Sequence, residues 1–251
     1  MTRWKIVVEY KGTNYSGWQM QGQGEKTIQE EIEKAIHGFC QQHIRVHGAS
    51  RTDSGVHARG QVAHFDLDYG DRPLSEYDLA KAINAYLREE DISILSAEKV
   101  DDDFHARFSA KHKAYTYSIM NRPSKPSIDK ELVWHIGRDL DADAMQKAAD
   151  YLIGTHDFTS FRAAMCQAKS PIKTITKLKV EKLGYFLFIH VEGSSFLHHM
   201  VRNIAGTLVL VGEGKWSPEA VKTALESRHR AAAGITAPPE GLCLMNISYQ
   251  L

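Results

Sequence analysis

The sequence predicts a mixed α+β protein made of two tandem βαββαβ units that form a mostly antiparallel sheet, with helices on one face and a central cleft. Two observations carry this. The spacing of apolar residues switches between a period of two and a period of 3.6 in the same order in both halves, and turn or cap residues fall where it switches. A third sets the scale: 251 residues with 43% hydrophobic content suffice for one large domain or two fused smaller ones.

In the first half, residues 5–10 (KIVVEY) alternate as a strand. Thr27 and Glu30 form a capping box ahead of Ile28, Ile32, Ile36 and Phe39 at helical spacing. Residues 44–48 and 61–67 read as the next two strands, the second placing Ala63, Phe65 and Leu67 on one face. Ser75 caps a helix reaching about Leu87, and residues 92–100 close the unit. In the second half, residues 113–120 (KAYTYSIM) are strand-like, and Asp141 caps a helix to about Ile153. Residues 175–182 and 185–192 form a hairpin around Leu183-Gly184. A helical region runs from about Phe196 to Val211, Ser217-Pro218-Glu219 opens another helix, and 243–249 is the last strand. This order is ferredoxin-like and RNA-recognition-module-like, an arrangement that also serves many unrelated enzymes, so it leaves function open. The boundary falls near residues 101–106, giving an N-terminal unit of 1–104 and a C-terminal unit of 105–251.

The charge is balanced, 31 basic against 31 acidic residues, which argues against a wholly basic nucleic-acid binder but not against a local basic face. Lys169, Lys173, Lys177, Lys179 and Lys182 concentrate positive charge in one segment. The N-terminus runs straight into strand-like alternation with no apolar leader, and no apolar run approaches the roughly 18 residues of a membrane span. Cys40, Cys166 and Cys243 are odd in number and widely spaced, which suggests neither a disulfide framework nor a zinc site. A reducing cytoplasm is the expected location.

The stretch 48–61, GASRTDSGVHARGQ, is too long for a simple hairpin turn and carries Arg51, Asp53, His57 and Arg59. Such a loop can use aspartate and glycine for local turn geometry alone. It can equally mount an active site on a rigid hairpin, with an arginine keeping Asp53 ionised as a nucleophile or base. His198 and His199 are adjacent, so helical or strand geometry would point them apart and disfavour joint metal chelation. No HExxH, phosphate-binding glycine loop, strand-linked GxGxxG or GxSxG occurs, leaving metal, nucleotide and serine-nucleophile chemistries without support.

Five ordered motifs, GASRTDSGVHARGQVAHFD, DDFHARFSAKHKAYTYSI, DFTSFRA, FLHHMVRNIAGTL and EGLCL, closely resemble those of the TruA-type tRNA pseudouridine synthases. The resemblance starts at YKGTNYSGWQMQ and covers nearly the whole chain. It implies an isomerase acting on uridines 38–40 of the tRNA anticodon stem-loop, without cofactor, metal or nucleotide, as a cytoplasmic homodimer with no membrane association. It also implies residue roles. Asp53 is the catalytic aspartate, and Tyr115, first tyrosine of Lys113-Ala114-Tyr115-Thr116-Tyr117, stacks on the target base. Arg202 pairs with the catalytic carboxylate, Arg51 guides or replaces the flipped nucleotide, and Leu242 lines the pocket. Arg59, His57 and Arg162 are weaker candidates for RNA contact.

Local chemistry also allows Tyr115 and Leu242 as plain core and Arg202 as a solvated helix-face residue, since it lies off the arc of Met200, Ile204 and Leu208. Three positions depart from the usual family pattern: Ser50 before Arg51, Ser54 after Asp53, and Cys243 after Leu242. All three are small and uncharged, so the turn geometry is expected to survive. A catalytically inactive RNA-binding protein on the same scaffold is the alternative, against which the joint presence of Asp53, Tyr115 and Arg202 speaks.

Overall fold

A computed structural model describes residues 1–22, 24–70 and 74–250. It is of mixed α+β class, with a largely antiparallel sheet among the described residues. The chain divides into two compact units, Met1–Lys111 with Leu244–Leu251, and His112–Cys243.

The first unit contains strand β1 (Thr2–Tyr10), helix α1 (Ile28–Cys40), strands β2 (His47–Gly48) and β3 (His57–Leu67), helix α2 (Glu76–Tyr86) and strand β4 (Ile92–Val100). Strand β1 lies between β3 and β4, antiparallel to both, and β2 pairs with β3. The helices start where their caps dictate: the Thr27 side chain accepts the Glu30 N–H and Ser75 accepts that of Asp78, each satisfying an orphan donor of the first turn. Ile28, Ile32 and Ile36 of α1 and Leu79 and Ile83 of α2 are fully buried, together with Ile6, Ala63 and Phe65 from the sheet.

The second unit contains β5 (His112–Asn121), β6 (Trp134–Ile136), α3 (Ala142–Asp150), β7 (Gly154–Asp157), β8 (Ile172–Leu183), β9 (Phe186–Gly193), α4 (Met200–Gly212) and α5 (Pro218–Ser227). Its sheet runs β5-β9-β8-β7, with β6 parallel to β5. Tyr115, Tyr117 and Ile119 face Val191, Ile189 and Leu187 across the β5–β9 register, and all six are buried. Helix α3 packs against β8, α4 and α5. No helix among the described residues is long and apolar enough to cross a membrane.

The last strand, β10 (Leu242–Ser248), starts in the second unit and from Leu244 onward belongs to the first, where it neighbours β3. A Cβ on Gly60 would stand 2.6 Å from the Met245 carbonyl, so a bare backbone there permits this approach. The chain boundary expected at 104/105 lies short of the one observed for a related reason. Phe104 packs on Tyr249 (4.9 Å between rings), the Ala106 N–H reaches His64 Nδ1 at 3.2 Å, and Lys111 N donates to Ser248 O at 2.8 Å. These contacts hold residues 104–111 to the first unit.

Two further differences bear on the site. The strand expected at 44–48 is only His47–Gly48, while β3 begins at His57 rather than 61, so His57 and Arg59 are strand residues. The helix expected from Phe196 begins at Met200, because His199 adopts a left-handed conformation (φ +61°) that interrupts helical hydrogen bonding.

Candidate active site

The connection between β2 and β3 is therefore residues 49–56, and it is bound along its length to the segment that follows β1. The Thr52 carbonyl accepts the Trp18 N–H at 3.1 Å, and the Thr52 and Tyr10 hydroxyls meet at 2.8 Å. The Gln61 side chain brackets Ser50, accepting its N–H at 3.1 Å and donating to its carbonyl at 2.7 Å. Ser54 Oγ and Gly55 N both donate to the Tyr15 carbonyl, at 3.2 and 3.4 Å. The two sides come so close that a Cβ on Gly17 would stand 2.6 Å from the Thr52 carbonyl. Its φ of +88° is one that side chains rarely adopt. YKGTNYSGWQ is thus the seat of the loop, and Ser50 and Ser54, two of the three departures from the usual pattern, are both hydrogen-bonded in place, to Gln61 and Tyr15.

The seat is itself anchored. The Tyr15 hydroxyl donates to Glu90 Oε2 at 2.6 Å, and Lys26 Nζ lies 2.6 Å from the same carboxylate. Burial, reinforced by that carboxylate, pushes the Tyr15 hydroxyl well above the ordinary tyrosine range, so it stays a donor. On the loop, Asp53 is half-buried and Arg51 exposed. Its turn closes through a backbone bond from Val56 N to Asp53 O at 3.2 Å. His57 is buried and its Nδ1 accepts the Gly12 N–H at 2.9 Å. Arg59 is exposed.

In the second unit, Tyr115 is 7% exposed and its ring meets that of Phe196 edge-on, 84° apart at 5.2 Å. Two residues on and on the same strand face, the Tyr117 hydroxyl donates to the Pro238 carbonyl at 2.8 Å. Its ring fills the place where a Cβ on Gly241 would sit 2.5 Å away. Burial holds the Tyr117 hydroxyl protonated, with Glu240 acting in the same sense and Arg202 in the opposite one. Arg202 is partly buried, and its Nε donates to the Ala237 carbonyl at 2.7 Å, so it is not a solvated helix-face arginine. Leu242 is 6% exposed. Arg202 and Tyr117 are thereby both fastened to residues 237–241, which Leu242 follows directly, and Tyr115 lies two residues before that tyrosine on β5.

The expectation that His198 and His199 point apart needs amending. The rings of His198 and His199 lie 3.9 Å apart, because the left-handed His199 is neither helical nor extended. Arg162 Nη2 donates to the carbonyls of Cys166 (2.6 Å) and Ala168 (2.9 Å), closing a loop of its own. Of the lysine-rich segment, Lys177, Lys179 and Lys182 are paired with Glu192, Glu181 and Asp139. Sequence reasoning missed residues 230–239 altogether. The signal was there in TAPPEG, a rigid dipeptide beside a glycine.

A family model described as tRNA pseudouridine synthase matches residues 6–109 and 148–250. The tRNA pseudouridine synthase A of Ehrlichia chaffeensis is 49% identical over 247 residues, 98% of this chain and 100% of that protein. Proteins of the same name from Rhodospirillum rubrum and Caulobacter vibrioides are each 47% identical over 249 residues. Both alignments cover 99% of this chain, and 88% and 99% of those proteins.

Proposed function

This chain belongs to the tRNA pseudouridine synthase family, and on that premise we propose that it isomerises uridine to pseudouridine in tRNA, with Asp53 as the catalytic carboxylate. The observation that carries the proposal is similarity over nearly the entire chain, with the motif that holds Asp53 presented on a loop of fixed backbone.

The reaction breaks the C1′–N1 bond, turns the freed uracil and joins C5 to C1′, while the proton on C5 leaves to solvent and N1 regains one. One C–N bond is exchanged for one C–C bond without net redox. A carboxylate can attack C1′ or remove the C2′ proton, and Asp53 suits either route. Arg202 is assigned to orient that carboxylate, an arginine being the side chain whose fork matches it. Tyr115 is assigned to hold the turning uracil, its ring fixed edge-on by Phe196. Arg51, exposed on the Asp53 loop, is assigned to the space of the extruded nucleotide, a step that costs a few kcal/mol of stacking and pairing. Leu242 contributes apolar wall.

The substrate region is read as the anticodon stem-loop, uridines 38–40, and the working form as a cytoplasmic homodimer. The experiment is tritium release from tRNA labelled at uridine C5, with Asp53→Ala in parallel. Release by the wild type and its loss in the variant are expected; silence of the wild type on a range of tRNAs overturns the activity, and undiminished release by the variant overturns the site. Mapping the modified positions tests the substrate region, and light scattering at assay concentration tests the dimer.

A further inference from the structure

Asn203 follows Arg202 on α4, is fully buried, and carries an amide on a helix otherwise lined mainly by small and aliphatic side chains. A buried amide is tolerated only when its hydrogen bonds are met, so the place of those bonds says what it does. Its Oδ1 accepts from Arg230 Nη2 at 3.0 Å and Thr236 Oγ1 at 2.6 Å, and its Nδ2 donates to the Phe161 carbonyl at 2.8 Å. Arg230 spends its other donor on the carbonyls of Ala233 and Gly234, at 3.3 and 2.9 Å. Thr207 Oγ1 completes the bracket, donating to the Asn203 carbonyl at 2.7 Å and accepting the Gly234 N–H at 2.9 Å.

Apart from the bond to Phe161 and the Thr207–Asn203 bond within α4, each of these ties residues 230–236 to one another or to α4. The tie is close: a Cβ on Gly206 would stand 1.9 Å from the Ile235 carbonyl. It ends at Ala237, which exchanges two bonds with Arg202. Ala237 N donates to the Arg202 carbonyl at 3.1 Å, and Arg202 Nε donates back to the Ala237 carbonyl at 2.7 Å. The Ala237 carbonyl thus holds one donor of the Arg202 guanidinium, and its own place is held by the bracket.

We infer that Asn203 and Arg230 are positioning residues for Arg202, holding the 230–237 segment so that the Ala237 carbonyl aims its guanidinium. The inference rests on reading Arg202 as the partner of the catalytic carboxylate. A planar fork is required at 230 because four oxygens on three residues and one side-chain amide converge on it; an ammonium cannot span them.

The test compares wild type, Arg202→Lys, Arg230→Lys and the milder Thr236→Val, which removes one hydroxyl. Single-turnover tritium release from C5-labelled tRNA, tRNA binding, melting temperature and the pH–rate profile are measured for each. Arg230→Lys and Thr236→Val are expected to lower the single-turnover rate tenfold or more and leave tRNA affinity within twofold. They should also shift the acid limb of the pH–rate profile in the same direction as Arg202→Lys. An unchanged rate with an impaired Arg202→Lys overturns this inference alone, as does a loss of rate, affinity and melting temperature together in both variants. A wild type inactive on every tRNA overturns the parent reading and this one with it. If Arg230→Lys fails to fold, Thr236→Val decides.

Discussion

The hydroxyls of Tyr10 and Thr52 meet at 2.8 Å in a buried contact between the end of β1 and the residue before Asp53. One strand end is thus fastened to the candidate catalytic loop by a bond too far apart in sequence to be read from either segment. Replacing Tyr10 by Phe or Thr52 by Val removes this buried hydrogen bond and should cost about 1 kcal/mol of stability. If the bond also orients the loop, single-turnover isomerisation falls in both variants while tRNA affinity stays. Chemical denaturation and tritium release measure the two effects separately.

Gly17→Ala is expected to be more damaging than either. The new methyl group meets the Thr52 carbonyl at 2.6 Å in a backbone conformation of φ +88°, so the seat and loop must separate. The strain is on the order of 1–3 kcal/mol, and activity should fall well beyond the fraction unfolded at the assay temperature. Gly22→Ala, with open space around it, is the control.

Tyr115→Phe keeps the ring that packs edge-on against Phe196 and removes only the hydroxyl. If that hydroxyl assists loss of the C5 proton, conversion slows by on the order of 10²-fold with tRNA binding intact. Tyr115→Ala should weaken binding of the extruded base as well. Parallel measurement of affinity and single-turnover rate separates them.

Stability should decline on mild acidification. His64 is buried beside His105 and His47, and burial first, then those neighbouring imidazoles, lower its pKa from the usual 6.5 to about 4. The unfolded chain therefore binds a proton that the folded one refuses between these values. The contribution is complete above pH about 6.5 and is lost as pH falls toward 4, amounting to about 2–3 kcal/mol at most. Urea midpoints at pH 7.5 and 5.0 should differ accordingly. His64→Asn, which keeps an acceptor for the Ala106 N–H, should flatten the difference.

What the sequence disclosed were the features written in short range. Thr27, Ser75 and Asp141 cap the helices expected of them, because a cap is a contract between residues three apart. The alternation of Tyr115, Tyr117 and Ile119 forecast a buried strand face correctly. Phe196 to His199 were read as helix because their apolar spacing fits one, and spacing carries no sign of a left-handed residue at 199. The three-residue β6 and four-residue β7 were too short to leave a period. For the site, the motifs supplied Asp53, Tyr115 and Arg202. They could not supply their supports, since Tyr10 for Thr52 and Ala237 for Arg202 are paired across more than thirty residues of chain.

The return of residues 244–248 to the first unit has a consequence for biogenesis. During synthesis residues 1–111 emerge well ahead of residues 244–248, the strand that neighbours β3 in the first unit. Until then the part of β3 beyond its short pairing with β2 presents an uncovered edge, a feature prone to wrong pairing between nascent chains. A chain lacking residues 242–248 would be left with that part of the edge open.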